Sequence, residues 1–172
     1  MRVAIIGNSG SGKSTLARWL AESSGCPSLD LDTVAWEPGP AAVARPEPQA
    51  RVEVRHFCRN HGTWVVEGCY ANLVDAALAE RPHLIFLHPG EQACLANCRA
   101  RPWEPHKYAS KAEQDANLAP LLAWVCEYYT RDGPLSLAAH AALFEGYAGP
   151  KLELVALPDL CAPQPDLLAW VR

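Results

Sequence analysis

The stretch Arg2-Val3-Ala4-Ile5-Ile6-Gly7-Asn8-Ser9-Gly10-Ser11-Gly12-Lys13-Ser14-Thr15-Leu16 decides how the rest of the chain is read. Arg2 to Ile6 is a short, nearly continuous apolar run, as in a strand buried on both faces of a parallel sheet. Gly7 to Ser14 then matches GxxxxGK[ST] in full, the Walker A pattern. Its glycines permit backbone angles and close approaches that a Cβ forbids, so successive N–H groups can turn inward around a phosphate. A helix starting near Lys13 points the positive end of its dipole at the same anion. In this arrangement Lys13 reaches the β- and γ-phosphates of a nucleoside triphosphate, taken as ATP, and the Ser14 hydroxyl ligates Mg²⁺. By average residue frequencies the pattern arises by chance in on the order of 1% of chains of this length. Its place between an apolar strand and a helix carrying Leu16, Trp19 and Leu20 at helical spacing separates it from an accidental glycine-rich turn. Gly7, Asn8, Ser9, Gly10, Ser11, Gly12, Lys13, Ser14 and Thr15 are the candidate cofactor-binding set.

Strands and helices alternate outward from this loop. Gly25 stops the first helix, Ser28 to Leu31 is a second strand, and the proline-rich residues 36 to 48 read as a loop. A helix is expected over about 49–60, its Arg51, Arg55 and Arg59 forming a solvated stripe opposite Ala50, Val54, Phe57 and Cys58. Trp64 to Glu67 is a third strand, followed by a helix from about 71 to 80; Leu84 to Leu87 is a fourth, followed by a helix near 91–99. Residues 101–107 read as irregular and basic. Helices over about 118–130 and 135–145, a fifth strand over 151–156 and a closing helix over 166–171 complete the chain. Short apolar strands alternating with helices mean an α/β domain whose parallel sheet is covered on both faces. Without a repeat or a linker, one domain over 1–172 is expected.

Composition narrows the function classes. The 172 residues are 49% hydrophobic and 20% charged, as in soluble globular proteins, and no stretch approaches a membrane span. The N-terminal apolar run ends too soon for a signal peptide, so a cytoplasmic location is expected. A formal charge of −4 argues against nucleic acid as the main partner. The seven cysteines include no CxxC pair and suggest reduced, buried thiols; Cys94 and Cys98 lie four apart, with no second ligand pair in view for a metal.

Further candidates follow the strands. Asp30 and Asp32, two apart at the end of strand two, point the same way if the strand continues through them. One would hold Mg²⁺ through water, and the other would take a proton from a substrate hydroxyl; the alternative is turn chemistry or helix capping. Glu67 closes strand three where an acid orients the water shell of Mg²⁺, or it simply faces solvent, and Gly68 after it would leave room for substrate. Arg99, Arg101, His106, Lys107 and Arg131 form the main basic cluster, suited to stabilising phosphoryl transfer from a mobile segment. The tryptophans read mostly as core residues; Trp36 and Trp103, in irregular segments, are candidates for ligand contact.

The chain resembles the small P-loop kinases of the adenylate kinase and shikimate kinase type, and more closely the bacterial adenylate-kinase-like proteins called DNA topology modulation proteins. GNSGSGKSTLA, LDLDTVAW, VVEGCY, IFLHPG and RARPWEPHKY carry the likeness, which runs over most of the chain. It implies a three-layer α/β/α P-loop NTPase fold with a five-stranded parallel sheet of order 2-3-1-4-5. It also implies a substrate-binding region over 32–62 and a lid over about 99–117. Asp32 would lie near the acceptor, Glu67 and Gly68 near metal and substrate, lid arginines on the phosphates, and Leu157 to Asp159 near the adenine; in a kinase, the acceptor would be held near Asp32, Glu67 and Tyr70. Adenylate kinases continue strand three with a DGFPR-like run, whereas Cys69-Tyr70 follow here without Pro-Arg, which argues against AMP as acceptor. Two activities fit this pattern. One is a kinase that transfers the ATP γ-phosphate to a small-molecule nucleotide or metabolite. The other is a nucleotide-dependent regulatory ATPase acting on DNA or a protein partner. The oligomeric state stays open.

Overall fold

A computed structural model describes residues 1–37, 43–103 and 109–172. The elements in chain order are β1 (Arg2–Ile6), α1 (Lys13–Ser24), β2 (Ser28–Asp30), α2 (Asp32–Ala35), α3 (Glu47–Asn60), β3 (Trp64–Gly68) and α4 (Ala71–Leu78). After these come β4 (His83–Leu87), α5 (Glu91–Ala100), α6 (Lys111–Ala116), α7 (Leu118–Glu127), α8 (Leu137–Gly146), β5 (Lys151–Leu154) and α9 (Pro165–Trp170). The five strands form one parallel sheet of order β2-β3-β1-β4-β5 between helical layers, the three-layer P-loop-like fold the sequence implies. Among the described residues, no helix is long and apolar enough to cross a membrane.

The alternation of side chains along β1 divides the core. Val3 and Ile5 face a cluster with Leu16, Leu20 and Leu167 from α1 and α9, while Ala4 and Ile6 face one with Val54, Val74 and Ala77 from α3 and α4. Both faces are therefore dry, which explains the uninterrupted apolar strands. Each fully buried Ile or Leu contributes about 1.5–3 kcal/mol. A third cluster, Cys94, Leu95, Cys98 and Val125, joins α5 to α7.

Register fixes the site edge. Asp30 pairs with Glu67 between β2 and β3, and Ile6 pairs with Gly68 between β1 and β3, so the loop after β1 and both acids meet at the carboxyl end of the sheet. Open α/β sheets bind ligands at this edge.

Three local readings change. The second strand stops at Asp30, so Asp30 and Asp32 do not share a strand face; Asp32 is the first residue of α2. Asp30 Oδ1 accepts from the Asp32 N–H at 2.9 Å, the turn chemistry that was the alternative reading. The arginine stripe on α3 is only partly solvated: Arg51 donates to the Asn72 carbonyl and to Asp75 (2.8 Å), and Arg59 bonds Glu80 (3.4 Å), tying α3 to α4. Within the expected lid, α6 is a helix, capped by Ser110 accepting from the Glu113 N–H.

Candidate functional site

A cleft of about 790 Å³ opens at the carboxyl edge of the sheet. The loop between β1 and α1 forms one wall. Gly10 takes φ 77° there, and a Cβ on it would come within 2.4 Å of the Cys94 carbonyl oxygen, so the loop can lie this close to α5 only with glycine. Two asparagines brace it from outside: Asn8 Nδ2 donates to the Val125 carbonyl of α7 (3.0 Å), and Asn97 Nδ2 donates to the Gly10 carbonyl (2.8 Å). Neither partnership can be read from the motif. Cys94 and Cys98 pack beneath this loop, and among the described residues no group of three or more His, Cys, Asp or Glu is placed to hold a metal.

Lys13 is buried and its Nζ donates to the Asn8 carbonyl at 3.0 Å. That ammonium therefore points back across its own loop, where a phosphate oxygen can replace the carbonyl as acceptor. The Ser11 Oγ is buried in the same loop without a hydrogen-bond partner among the described residues.

Glu67 is buried at the cleft floor, and Ser14 lines the same cavity. Burial pushes the Glu67 pKa up; Lys13 opposes that shift, Asp30 adds to it, the Ser14 side chain opposes it and Asp32 adds to it. A cation beside Ser14 and Glu67 would relieve this strain, so the donor chemistry fits Mg²⁺. In P-loop proteins such a sphere consists of one hydroxyl ligand, phosphate oxygens and waters, so it needs no preformed cluster of three acids.

A second group stands on the β2–α2 side. The Tyr70 hydroxyl donates to Asp32 Oδ1 at 2.8 Å and accepts from the Trp36 indole N–H at 2.9 Å. Burial, followed by the charge of Asp32, pushes the Tyr70 pKa up, so this phenol stays a donor. Beneath it, His140 is fully buried, with Nε2 2.8 Å from the Cys69 carbonyl and Nδ1 2.9 Å from the Tyr128 hydroxyl. The carbonyl can only accept, so Nε2 carries the proton and Tyr128 donates to Nδ1. Burial lowers the His140 pKa to about 4, which keeps the ring neutral. The ring thereby fixes the backbone directly after Glu67 and Gly68.

The expected site residues divide around this cleft. Ser9, Gly10, Gly12, Lys13, Ser14 and Thr15 line it with Asp30, Asp32, Glu67, Gly68 and Tyr70, while Gly7, Asn8 and Ser11 lie buried behind. Gly68 has a packing reason of its own, since a Cβ there would lie 2.7 Å from the Leu31 Cβ. Arg101 lines the cleft; Arg99 instead lines a small void with Lys111 and Gln114 beneath α6. Arg131 stands outside the cleft lining, its guanidinium 3.4 Å from the Trp124 ring centroid. Leu157 lines the cleft beside Gly12, as the loop after strand five should. Of the 32–62 region, Asp32 and Trp36 line it among the described residues. His106 and Lys107 lie outside the described residues. Sequence reasoning missed Arg18, Asn97, Cys69, Trp124 and Leu135. Trp124 was assigned to a core by its helical setting, yet it is 40% exposed; no periodicity distinguishes those two fates.

No family model matches the chain, and no curated protein does. Solved structures do. A gluconokinase from Sinorhizobium meliloti 1021 superimposes with a TM-score of 0.54 at 18% identity, covering 99% of this chain and 90% of that one. An uncharacterized protein from Eubacterium ventriosum ATCC 27560 gives a TM-score of 0.51 at 15% identity, covering 99% and 97%. The chain shares their fold. At these identities the likeness extends to the architecture alone, and neither name speaks of DNA topology.

Proposed function

We propose that the protein is a kinase that transfers the γ-phosphate of ATP to a hydroxyl of a small molecule, with Mg²⁺. The observation that carries this reading is the shared cleft. Lys13, Ser14 and Glu67 lie in the same cavity as Asp32, a carboxylate oriented by Tyr70. An ATPase needs the first group; a carboxylate fixed elsewhere in the same cavity suits an acceptor hydroxyl.

In this reading the acceptor oxygen forms a bond to the γ-phosphorus as the β,γ-bridging P–O bond breaks. ADP leaves and Asp32 takes the hydroxyl proton. Lys13, the N–H groups of the loop and Arg101 hold the equatorial and leaving oxygens. Bound Mg²⁺ would supply charge neutralisation on the β- and γ-oxygens. Ser14 would ligate it, while Glu67 and Asp30 would orient its waters. Tyr70 keeps Asp32 in one rotamer, so positioning supplies much of the rate.

The finer likeness, to DNA topology modulation proteins, would make nucleic acid the partner. The −4 charge and three acids in one cleft favour a small acceptor instead. ADP release, measured with and without panels of hydroxyl-bearing metabolites, nucleosides and nucleotides, tests the proposal. Release stimulated at least tenfold by one acceptor class, and abolished in Asp32→Asn, is the expected result. Release that no acceptor stimulates, but DNA does, would overturn it.

A further inference from the structure

Soluble proteins bury tryptophan or cover it, because an indole face left in water forfeits a large apolar area. Among the described residues three tryptophans are exposed, Trp36 (40%), Trp103 (46%) and Trp124 (40%), and all three line the same cleft. Trp19, Trp64 and Trp170 are not among the exposed ones. Exposed indole faces gathered in one polar-edged cavity mark a ligand wall, although single exposed valines stand elsewhere on the surface.

The orientation of one ring is fixed. The Trp36 N–H is held by the Tyr70 hydroxyl, which in turn holds Asp32, so a flat indole stands next to the carboxylate that receives the acceptor proton. Charge narrows the ligand further. The described cations of the cleft are Lys13, Arg18 and Arg101, all on the loop, α1 or the segment after α5, where the triphosphate is assigned. On the β2–α2 side the charged groups are Asp30, Asp32 and Glu67. Arg131 lies against Trp124 and does not line the cavity. A carboxylate or phosphate on the acceptor would meet acids there without a described cation to pair with.

We infer that the acceptor is an uncharged or cationic molecule with a flat ring face, which stacks on Trp36 while its hydroxyl reaches Asp32. This rests on the kinase reading above and narrows its substrate class. A nucleobase and the C–H face of a sugar ring share this chemistry, and the test separates them.

The experiment is calorimetric titration of the full chain, saturated with a non-hydrolysable ATP analogue and Mg²⁺, with thymidine, glucose, gluconate and AMP. A neutral ring compound binds at least tenfold more tightly than either acid. Thymidine alone identifies a base face, and glucose alone a sugar face. Trp36→Ala weakens the neutral ligand about tenfold more than it weakens the ATP analogue, the size of a lost ring stack, and Trp36→Phe restores most of the binding. Binding by neither neutral compound, or tighter binding by gluconate or AMP, overturns the inference. Gluconate binding that disappears in Arg131→Ala would show that the cation behind Trp124 turns into the cleft, which overturns it equally. Binding and transfer are scored apart. ADP release with an acid acceptor leaves the kinase reading standing and sinks this one, whereas ring binding without any ADP release does the reverse.

Discussion

The two halves of the cleft are built in different ways. The half proposed to hold the nucleotide comes from one unbroken stretch, Gly7 to Thr15, stiffened by backbone geometry and by asparagines at positions 8 and 97. The acceptor half is gathered from Asp32 and Trp36, from Glu67 to Tyr70, and from Trp124 and Leu135, segments up to about a hundred residues apart. A contiguous phosphate cradle leaves few choices of residue, because main-chain N–H groups do the binding. A gathered pocket can change its ligand by changing one side chain, and its polarity is a consequence of packing.

Substitutions should therefore separate the halves. Lys13→Ala strips the only cradle ammonium of the loop and lowers kcat by about 10³-fold, the scale of a lost oxyanion donor. Steady-state kinetics at saturating acceptor checks this; a loss under tenfold would place the triphosphate elsewhere. Beneath the acceptor half the expected effect is on stability. Because folding depresses the His140 pKa to about 4, the unfolded chain takes up the proton first as pH falls below the ordinary histidine value. The stability advantage of the native chain over His140→Gln should shrink by about 3 kcal/mol between pH 7 and pH 4. Urea denaturation at several pH values measures it, and a pH-independent difference would mean that this ring is not buried neutral.

Asp32→Asn should lower kcat by about 10²-fold with little change in affinity for ATP, since a general base contributes to transfer and not to nucleotide binding. Tyr70→Phe should cost less, on the order of tenfold, because it removes an orienting bond only. Equal losses in kcat and ATP affinity would show that the two halves are one. Glu67 stands between them and gives the smallest effect. Its pKa is raised by burial, so stability is lost as pH rises through the carboxylate range and the ionised group costs the free protein stability at neutral pH. Glu67→Gln should stabilise the ligand-free chain by about 1 kcal/mol and reduce the thermal shift given by Mg²⁺ with ATP. A destabilised variant with an unchanged Mg²⁺ response would remove Glu67 from the metal.

The same contrast explains what could be read before the fold. The covered parallel sheet was legible because its strands are apolar throughout and the Gly7–Ser14 pattern anchors the first of them, whereas the strand order came from the resemblance to small P-loop kinases. That Asp32 starts a helix and does not end the strand was hidden, because an acid after an apolar residue looks alike on a strand and in a turn; the chain leaves the sheet one residue earlier than the alternation suggests. The inward face of Trp124 was hidden for a similar reason. Apolar residues on a helix predict a covered face, and a ligand wall is covered only when the ligand is present. Tyr70 was placed near the substrate, but its bond to Asp32 spans 38 residues and no local pattern encodes it.

Phosphorus-31 nuclear magnetic resonance of ATP, Mg²⁺ and the protein with a neutral ring-bearing acceptor follows the fate of the γ-phosphate directly. The kinase account predicts a new phosphomonoester resonance growing in step with ADP, abolished in Lys13→Ala and strongly slowed in Asp32→Asn. Inorganic phosphate as the sole product, at a rate indifferent to every acceptor and to Asp32, would contradict it.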